Sequence, residues 1–283
     1  MSSDAPVRIT LREAAEHLGV HYMTVYRRVR LGILPALKVD GIWWVDPVDL
    51  EQAKAAQPAR GRRRIDGAIR PAIWRDRLRG RMIDGDLAGS WQVVEAAMAS
   101  GLTPADIYVD VLTPTLHAIG ASWESGESGI EEEHFASNVA TALIGRLGAR
   151  LARRGRKRGV VIVAMPSGER HGLGVAMVTD VLRQEGYDVR NLGPDTPARS
   201  LASAMRDTDR LVAVVVSVVG DGHRRAAARL LGAARRERSS VPLLAGGFAI
   251  RDDRSAIEIG ADGWAADPRE LARLIDTLQS QRT

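Results

Sequence analysis

The chain contains no cysteine. That excludes disulfides and thiolate metal sites, and it is compatible with a reducing cytosol. It has no apolar run long enough to span a membrane, and Met1 to Thr10 carries no apolar signal region. A cytoplasmic protein with no membrane partner is therefore expected. Lysine is nearly absent: Lys38, Lys54 and Lys157 are the only three among 40 basic residues, so arginine carries the positive charge. Aromatics make up only 4% of the residues, so each tryptophan in a polar setting is informative.

What is present is a chain of 283 residues, enough for two or three domains with sizeable cores. The net charge of +5 is unevenly spread. Residues 1–55 carry seven basic and seven acidic side chains, whereas residues 56–81 carry nine basic and two acidic. A second basic cluster, Arg146 to Arg158, holds seven basic residues. A basic stretch beside a small domain suits nucleic acid.

Thr10-Leu11-Arg12-Glu13 reads as a capping box opening a helix, with Leu11, Ala14, Ala15 and Leu18 on one face. Gly19 permits a tight turn before a second helix at about Met23 to Leu31. Two short helices joined by a glycine turn make a helix-turn-helix. Leu37–Val39, Asp40-Gly41 and Ile42–Val45 read as a hairpin, and Asp46-Pro47 as the start of a further helix. The expected domain, residues 1–57, is a winged helix-turn-helix. His21, Tyr22 and Thr24 would reach base edges of a duplex, Arg27, Arg28 and Arg30 would hold phosphates, and Lys38 on the wing would touch a neighbouring phosphate. Residues 58–72 lack hydrophobic period and read as a basic flexible linker.

Residues 73–156 have helical spacing and predict a four-helix bundle. Its helices are expected from Ile73, over Trp91–Ala99, from Thr103-Pro104 to about Ala121 with a kink at Pro114, and over Ile130–Leu151. Residues 157–283 alternate strands and helices and predict a flavodoxin-like, Rossmann-like α/β doubly wound parallel sheet. Its strands are Val160–Met165, Asp188–Leu192, Leu211–Ser217, Pro242–Ala245 and Gly263–Ala265. Gly193 to Pro197 is expected as the turn that leads into a helix running to about Arg206.

Two constellations carry chemistry. After the first α/β strand comes Ser167-Gly168-Glu169-Arg170-His171-Gly172-Leu173-Gly174. Glycines let a backbone approach a large group closely, an imidazole is a good transition-metal ligand, and a carboxylate can hold its other ring nitrogen. In the bundle, Trp123 is followed after nine residues by Glu133-His134, and Ile130, Glu133, His134 and Ser137 share one helical face. A core needs no such polar patch.

Glu169-x-His171-x-x-Gly174 resembles the cobalamin-binding signature of the methionine synthase and mutase family. The resemblance implies that His171 is the lower axial ligand of cobalt, with Glu169, Gly172 and Gly174 shaping its loop. It also implies that Ser217-x-Val219 and Gly246-Gly247 accommodate the displaced nucleotide tail. The N-terminal segment resembles the excisionase/BldC-like branch of the MerR-type DNA-binding superfamily through Ala14-Ala15-x-x-Leu18-Gly19-Val20, Thr24-Val25-Tyr26-Arg27 and Gly32-x-Leu34-Pro35-Ala36. The Trp-x9-Glu-His pattern resembles the cap of adenosylcobalamin-dependent photoreceptor regulators of the CarH/LitR type. By that resemblance Trp123 packs over the adenosyl group, Ile130 lines it, and Glu133 and His134 contact it. The family's histidine directly after the tryptophan is replaced here by Glu124, a poorer ligand for low-spin cobalt. A lasting light signal is in question for that reason.

The whole implies a light-responsive, cobalamin-dependent DNA-binding repressor and not an enzyme. It would hold adenosylcobalamin between cap and sheet, act on a double-stranded DNA operator, and form a homo-oligomer, dimer or tetramer. The alternative is a corrinoid carrier protein of a methyltransferase system, whose bundle and sheet would look nearly the same.

Overall fold

The computed structural model describes residues 8–18, 25–26, 29, 34–39, 42–50, 71–151 and 155–280. The chain divides into two units, Met1–Ala68 and Ile69–Thr283.

In the first unit, strands β1 (Ile9–Thr10), β2 (Leu37–Val39) and β3 (Ile42–Val45) form an antiparallel sheet in the order β1-β3-β2. Helix α1 (Leu11–Leu18) opens on the expected capping box: the Thr10 N–H donates to Glu13 Oε2 at 2.8 Å, and the Glu13 N–H returns to Thr10 Oγ1 at 3.4 Å. The hairpin register pairs Val39 with Ile42 and Leu37 with Trp44. Leu11, Ala14, Ala15, Val25, Val29, Leu34, Val45 and Leu50 form the core. Lys38 is exposed, its Nζ 5.8 Å from the Trp43 ring centroid. His21, Tyr22, Thr24, Arg27, Arg28 and Arg30 lie outside the described residues.

The second unit begins with helices α2 (Pro71–Ile83) and α3 (Leu87–Ala99). Asp86 caps α3, accepting the Gly89 N–H at 2.7 Å, so this helix starts four residues before the expected Trp91. Leu87-Ala88-Gly89-Ser90 carries too little apolar contrast to announce it.

The expected helix from Thr103 is in fact three pieces: a capped turn at Pro104–Asp106, a π-helical stretch at Ile107–Leu112, and α4 (Thr113–Glu124). Pro114 has no N–H to give the carbonyl four residues back, that of Asp110. Arg75 Nε donates to that carbonyl at 2.7 Å instead. Widening the turn relieves the same conflict, as π-bulges do. Helix α5 (Ile130–Leu151) completes the bundle.

The α/β part has strands β4 (Val160–Pro166), β5 (Asp188–Thr196), β6 (Leu211–Ser217), β7 (Leu243–Gly246) and β8 (Gly263–Trp264). They lie parallel in the order β5-β4-β6-β7-β8. Helices α6 (Leu173–Gln184) and α10 (Pro268–Ser280) cover one face, packing on Val161, Val163, Met165, Val215 and Leu244. Helices α7 (Ala198–Arg206) and α8 (Arg224–Glu237) and the short α9 (Asp253–Glu258) cover the other, packing on Ile162, Ala164, Val214 and Val216. Alternate strand residues thus feed opposite faces, as the pleat requires.

One expectation is corrected. The strand expected to end at Leu192 runs four residues further: Gly193 to Thr196 continues β5, reaching the register pair Pro166–Thr196 through two irregularities at which β5 carries an extra residue, and the expected helix to Arg206 follows it. β5 is a sheet edge, where a proline such as Pro194 is tolerated because it need not donate to a neighbour.

Helix α6 is buried on two sides. Val175 and Leu182 pack on the sheet, while Met177 and Val181 join the bundle core with Tyr108, Leu112, Ile144 and Leu147. The helix that follows the glycine-rich loop is therefore the junction between bundle and sheet.

Candidate functional site

The strand order places β4 between β5 and β6, so the connections after β4 and β6 leave the sheet in opposite directions. The crevice between their carboxyl ends is where open α/β sheets take ligands. Ser167 to Gly172 fills one side of it, and Val218 to His223 the other.

Glu169 joins the two sides. Its side chain has 0% exposure. Oε2 accepts the backbone N–H groups of Val219 (2.9 Å) and Gly220 (2.8 Å). Oε1 accepts the N–H groups of Arg170 (3.0 Å) and His171 (3.3 Å), and lies 2.5 Å from His171 Nδ1. Burial pushes this carboxyl up, but the Gly220 N–H, the His171 ring and the Val219 and His171 amides outweigh it, holding it down at about 2. An ionised carboxylate can only accept, so the bond requires the proton on His171 Nδ1. The neutral ring then keeps its lone pair on Nε2, and the His171 side chain is 69% exposed.

The glycines separate into two kinds. Gly247 has φ +95°, and a Cβ there would stand 2.4 Å from the Val218 carbonyl oxygen; the β6–β7 crossing itself demands glycine. Gly246 and Gly174 have no such demand. A Cβ at Gly246 would meet only the Ala265 carbonyl oxygen at 3.7 Å, and one at Gly174 nothing within 4 Å. Gly172 is tight, its Cβ position 3.1 Å from Pro194. Ser217 pairs with Gly246 at the strand ends and is 7% exposed. Val219 acts through its amide on Glu169.

In the bundle, Trp123 at the end of α4 and Ile130 at the start of α5 are 44% and 52% exposed. Ser137 donates to Glu133 Oε1 at 2.6 Å, and His134 Nε2 lies 3.8 Å from Glu133 Oε2. Glu124 is exposed. The sequence-derived residues thus form two groups, one at the sheet edge and one on α4 and α5. Among the described residues no hydrogen bond or ion pair joins the groups. A contact missed by sequence reasoning bridges the two layers: the His117 ring of α4 meets Phe248, after β7, edge-on at 5.1 Å between centroids, and burial pushes His117 down. The amides of Val219 and Gly220 were also missed, because a backbone donor has no residue-type signature.

Among the described residues no three His, Cys, Asp or Glu side chains converge to hold a metal ion. One imidazole with a free Nε2 suits a metal that arrives with its own equatorial ligands. The open Cβ positions at Gly174 and Gly246 leave room for a broad group beside it. The donor set fits a corrinoid.

Comparison with known proteins agrees. Residues 74–147 and 159–273 each match a family described as "B12 binding domain". Monomethylamine corrinoid protein 1 of Methanosarcina mazei is 26% identical over 212 residues, 70% of this chain and 94% of that protein. The HTH-type transcriptional repressor CarH of Myxococcus xanthus is 32% identical over 133 residues, 47% of this chain and 43% of that one. The structure of the monomethylamine corrinoid protein of Methanosarcina barkeri superposes with a TM-score of 0.64 at 22% identity, covering 74% of this chain and 99% of that one. The chain carries a cobalamin-binding module: a Rossmann-like sheet with a helical cap. The relatives are named as corrinoid proteins and as a transcriptional repressor.

Proposed function

We propose that this protein is a cobalamin-dependent, light-responsive transcription repressor. The observation that carries the reading is the N-terminal unit. Its α1, three-stranded sheet and hairpin lie before residue 74, where the first B12-binding match begins, and a methyl carrier has no use for them. The partial similarity to CarH supports the same reading.

His171 would hold cobalt from below through Nε2, with Glu169 fixing the tautomer. Ser217, Val219, Gly246 and Gly247 would line the nucleotide tail. Trp123, Ile130, Glu133 and His134 would pack around an adenosyl group above. When bound, adenosylcobalamin supplies a cobalt–carbon bond that light breaks. The winged helix-turn-helix would read a double-stranded operator through His21, Tyr22, Thr24, Arg27, Arg28, Arg30 and Lys38. Cofactor and DNA affinity are coupled if adenosylcobalamin favours the oligomer, dimer or tetramer, that spaces two reading helices.

The test is a dark-purified protein incubated with adenosylcobalamin, gel-filtered and used in gel shifts before and after green light. Retained cobalamin colour, with a DNA complex in the dark that weakens in light, supports the proposal. Retained colour without DNA binding favours the second reading, a corrinoid carrier, for which the match spanning 94% of a monomethylamine corrinoid protein speaks.

A further inference from the structure

The C-terminal end of β5, which sequence periodicity does not announce as strand, lies against the His171 loop residue by residue. Thr196 accepts from Ser167 Oγ at 3.4 Å through its carbonyl. Pro194 stands against Gly172. Between them, Asp195 makes two bonds that bracket Glu169: its Oδ1 accepts the Gly168 N–H at 2.8 Å, and its own N–H donates to the Glu169 carbonyl at 3.0 Å.

Asp195 makes these bonds from the left-handed region, at φ +52°. Among the described residues only Arg210 shares that state without being glycine. A side chain there costs of order 1 kcal/mol or more, least for Asp and Asn. Such a conformation persists where its surroundings over-determine it, and the two bonds do so. Glycine would remove the strain but also the acceptor; Asp keeps both the turn and the acceptor. Gly168 is left-handed too, at φ +89°, and its N–H is the one that Asp195 accepts.

We infer that Asp195 is a positioning residue for cobalt ligation: it locks Gly168 and the Glu169 backbone, which aims the Glu169 carboxylate at His171 Nδ1 and so directs Nε2 outward. This rests on the reading of His171 as the cobalt ligand. The relevant precedent in general chemistry is that partners of a metal-bound histidine shift metal affinity by about ten- to a hundredfold.

The test uses the full chain labelled with 15N-histidine, with Asp195→Ala, Asp195→Gly and Asp195→Asn variants and a His171→Ala control. Each is titrated with cobalamin, gel-filtered, reduced to the cobalt(II) form and measured by electron paramagnetic resonance. A 15N axial donor from the protein splits each cobalt line in two, whereas the cofactor's own 14N base splits it in three. The expected result is a doublet in the unaltered chain and in Asp195→Asn, whose amide oxygen still accepts from Gly168. Asp195→Ala and Asp195→Gly should bind about tenfold more weakly and shift toward the triplet. Asp195→Gly decides the matter if Asp195→Ala folds poorly, since glycine relieves the strained turn. A doublet of full intensity at unchanged affinity in Asp195→Gly overturns the inference, as does an Asp195→Asn variant that behaves like Asp195→Gly. No doublet in the unaltered chain overturns the His171 reading itself.

Discussion

Glu169 shows how one side chain can be both buried and charged. It is withdrawn from water, which alone would favour the neutral acid, yet four N–H groups from the backbone and one from a ring converge on its two oxygens. Glu169→Gln replaces one acceptor oxygen by an NH2 that must face donors. The expected loss is about 1–3 kcal/mol in urea unfolding, with weaker cobalamin retention; unfolding at the same urea midpoint as the unaltered chain would contradict this account. The paired glycines give a cleaner division. Gly247→Ala should destabilise the fold by several kcal/mol with or without cobalamin, because a Cβ cannot coexist with the Val218 carbonyl 2.4 Å away. Gly246→Ala should melt like the unaltered protein, yet bind cobalamin less well. If both variants melt alike, Gly246 is not reserved for a ligand.

At the scale of elements, the chain was legible where period and caps agree. Ile130–Leu151 has a sustained apolar stripe and was read with its true limits. So were Leu211–Ser217 and the hairpin strands Leu37–Val39 and Ile42–Val45. It was illegible where tertiary partners overrule local pattern. Gly193-Pro194-Asp195-Thr196 has turn composition and keeps left-handed residues at Gly193 and Asp195, yet pairing with β4 and the bonds to Ser167, Gly168 and Glu169 hold it at the sheet edge. The π-helical stretch likewise depends on a residue 35 positions away, Arg75, which no local window includes. The candidate site divides the same way: Glu169, His171 and the glycines are visible as residue types, whereas Asp195 and the Val219 and Gly220 amides act through backbone geometry. Arg75 supplies a donor that Pro114 lacks, so the two are coupled. Arg75→Ala should cost about 1 kcal/mol in the unaltered chain and clearly less in a Pro114→Ala background, where an N–H is restored. Equal costs in the two backgrounds, measured by urea unfolding, would separate the pair.

At the scale of the cobalamin-binding unit, bundle and sheet are fastened at several points. Tyr108, in the π-helical stretch, donates to Asp180 Oδ2 of α6 at 2.9 Å. His117 meets Phe248. Arg269, at the start of α10, reaches Asp106 (3.0 Å) and Asp110 (3.2 Å) of the bundle and Asp267 (3.3 Å) beside it. Burial pushes Asp267 up, but the Arg269 guanidinium and the Glu270 and Arg269 amides prevail and hold it below the ordinary aspartate value. Burial lowers Arg269, and Asp110 and Asp267 more than reverse this, so it stays charged at every accessible pH. A carboxyl depressed in the folded state binds its proton less readily than in the unfolded chain. Its stabilisation is present above the unfolded value, about pH 4, and fades as pH falls through the lower folded one. Acid should therefore loosen this fastening, and Arg269→Ala should remove that part of the acid sensitivity. Groups remote from Arg269 are the same in both proteins and cancel in the difference. Unfolding free energies from urea titrations at about pH 6 and about pH 3 should converge by roughly 1 kcal/mol between unaltered chain and variant as pH falls, the partly exposed ions being discounted for screening. Parallel pH dependences would mean that Arg269 does not hold Asp267 below its ordinary value, leaving the apolar packing around α6, the Tyr108–Asp180 bond and the His117–Phe248 contact to fasten the junction.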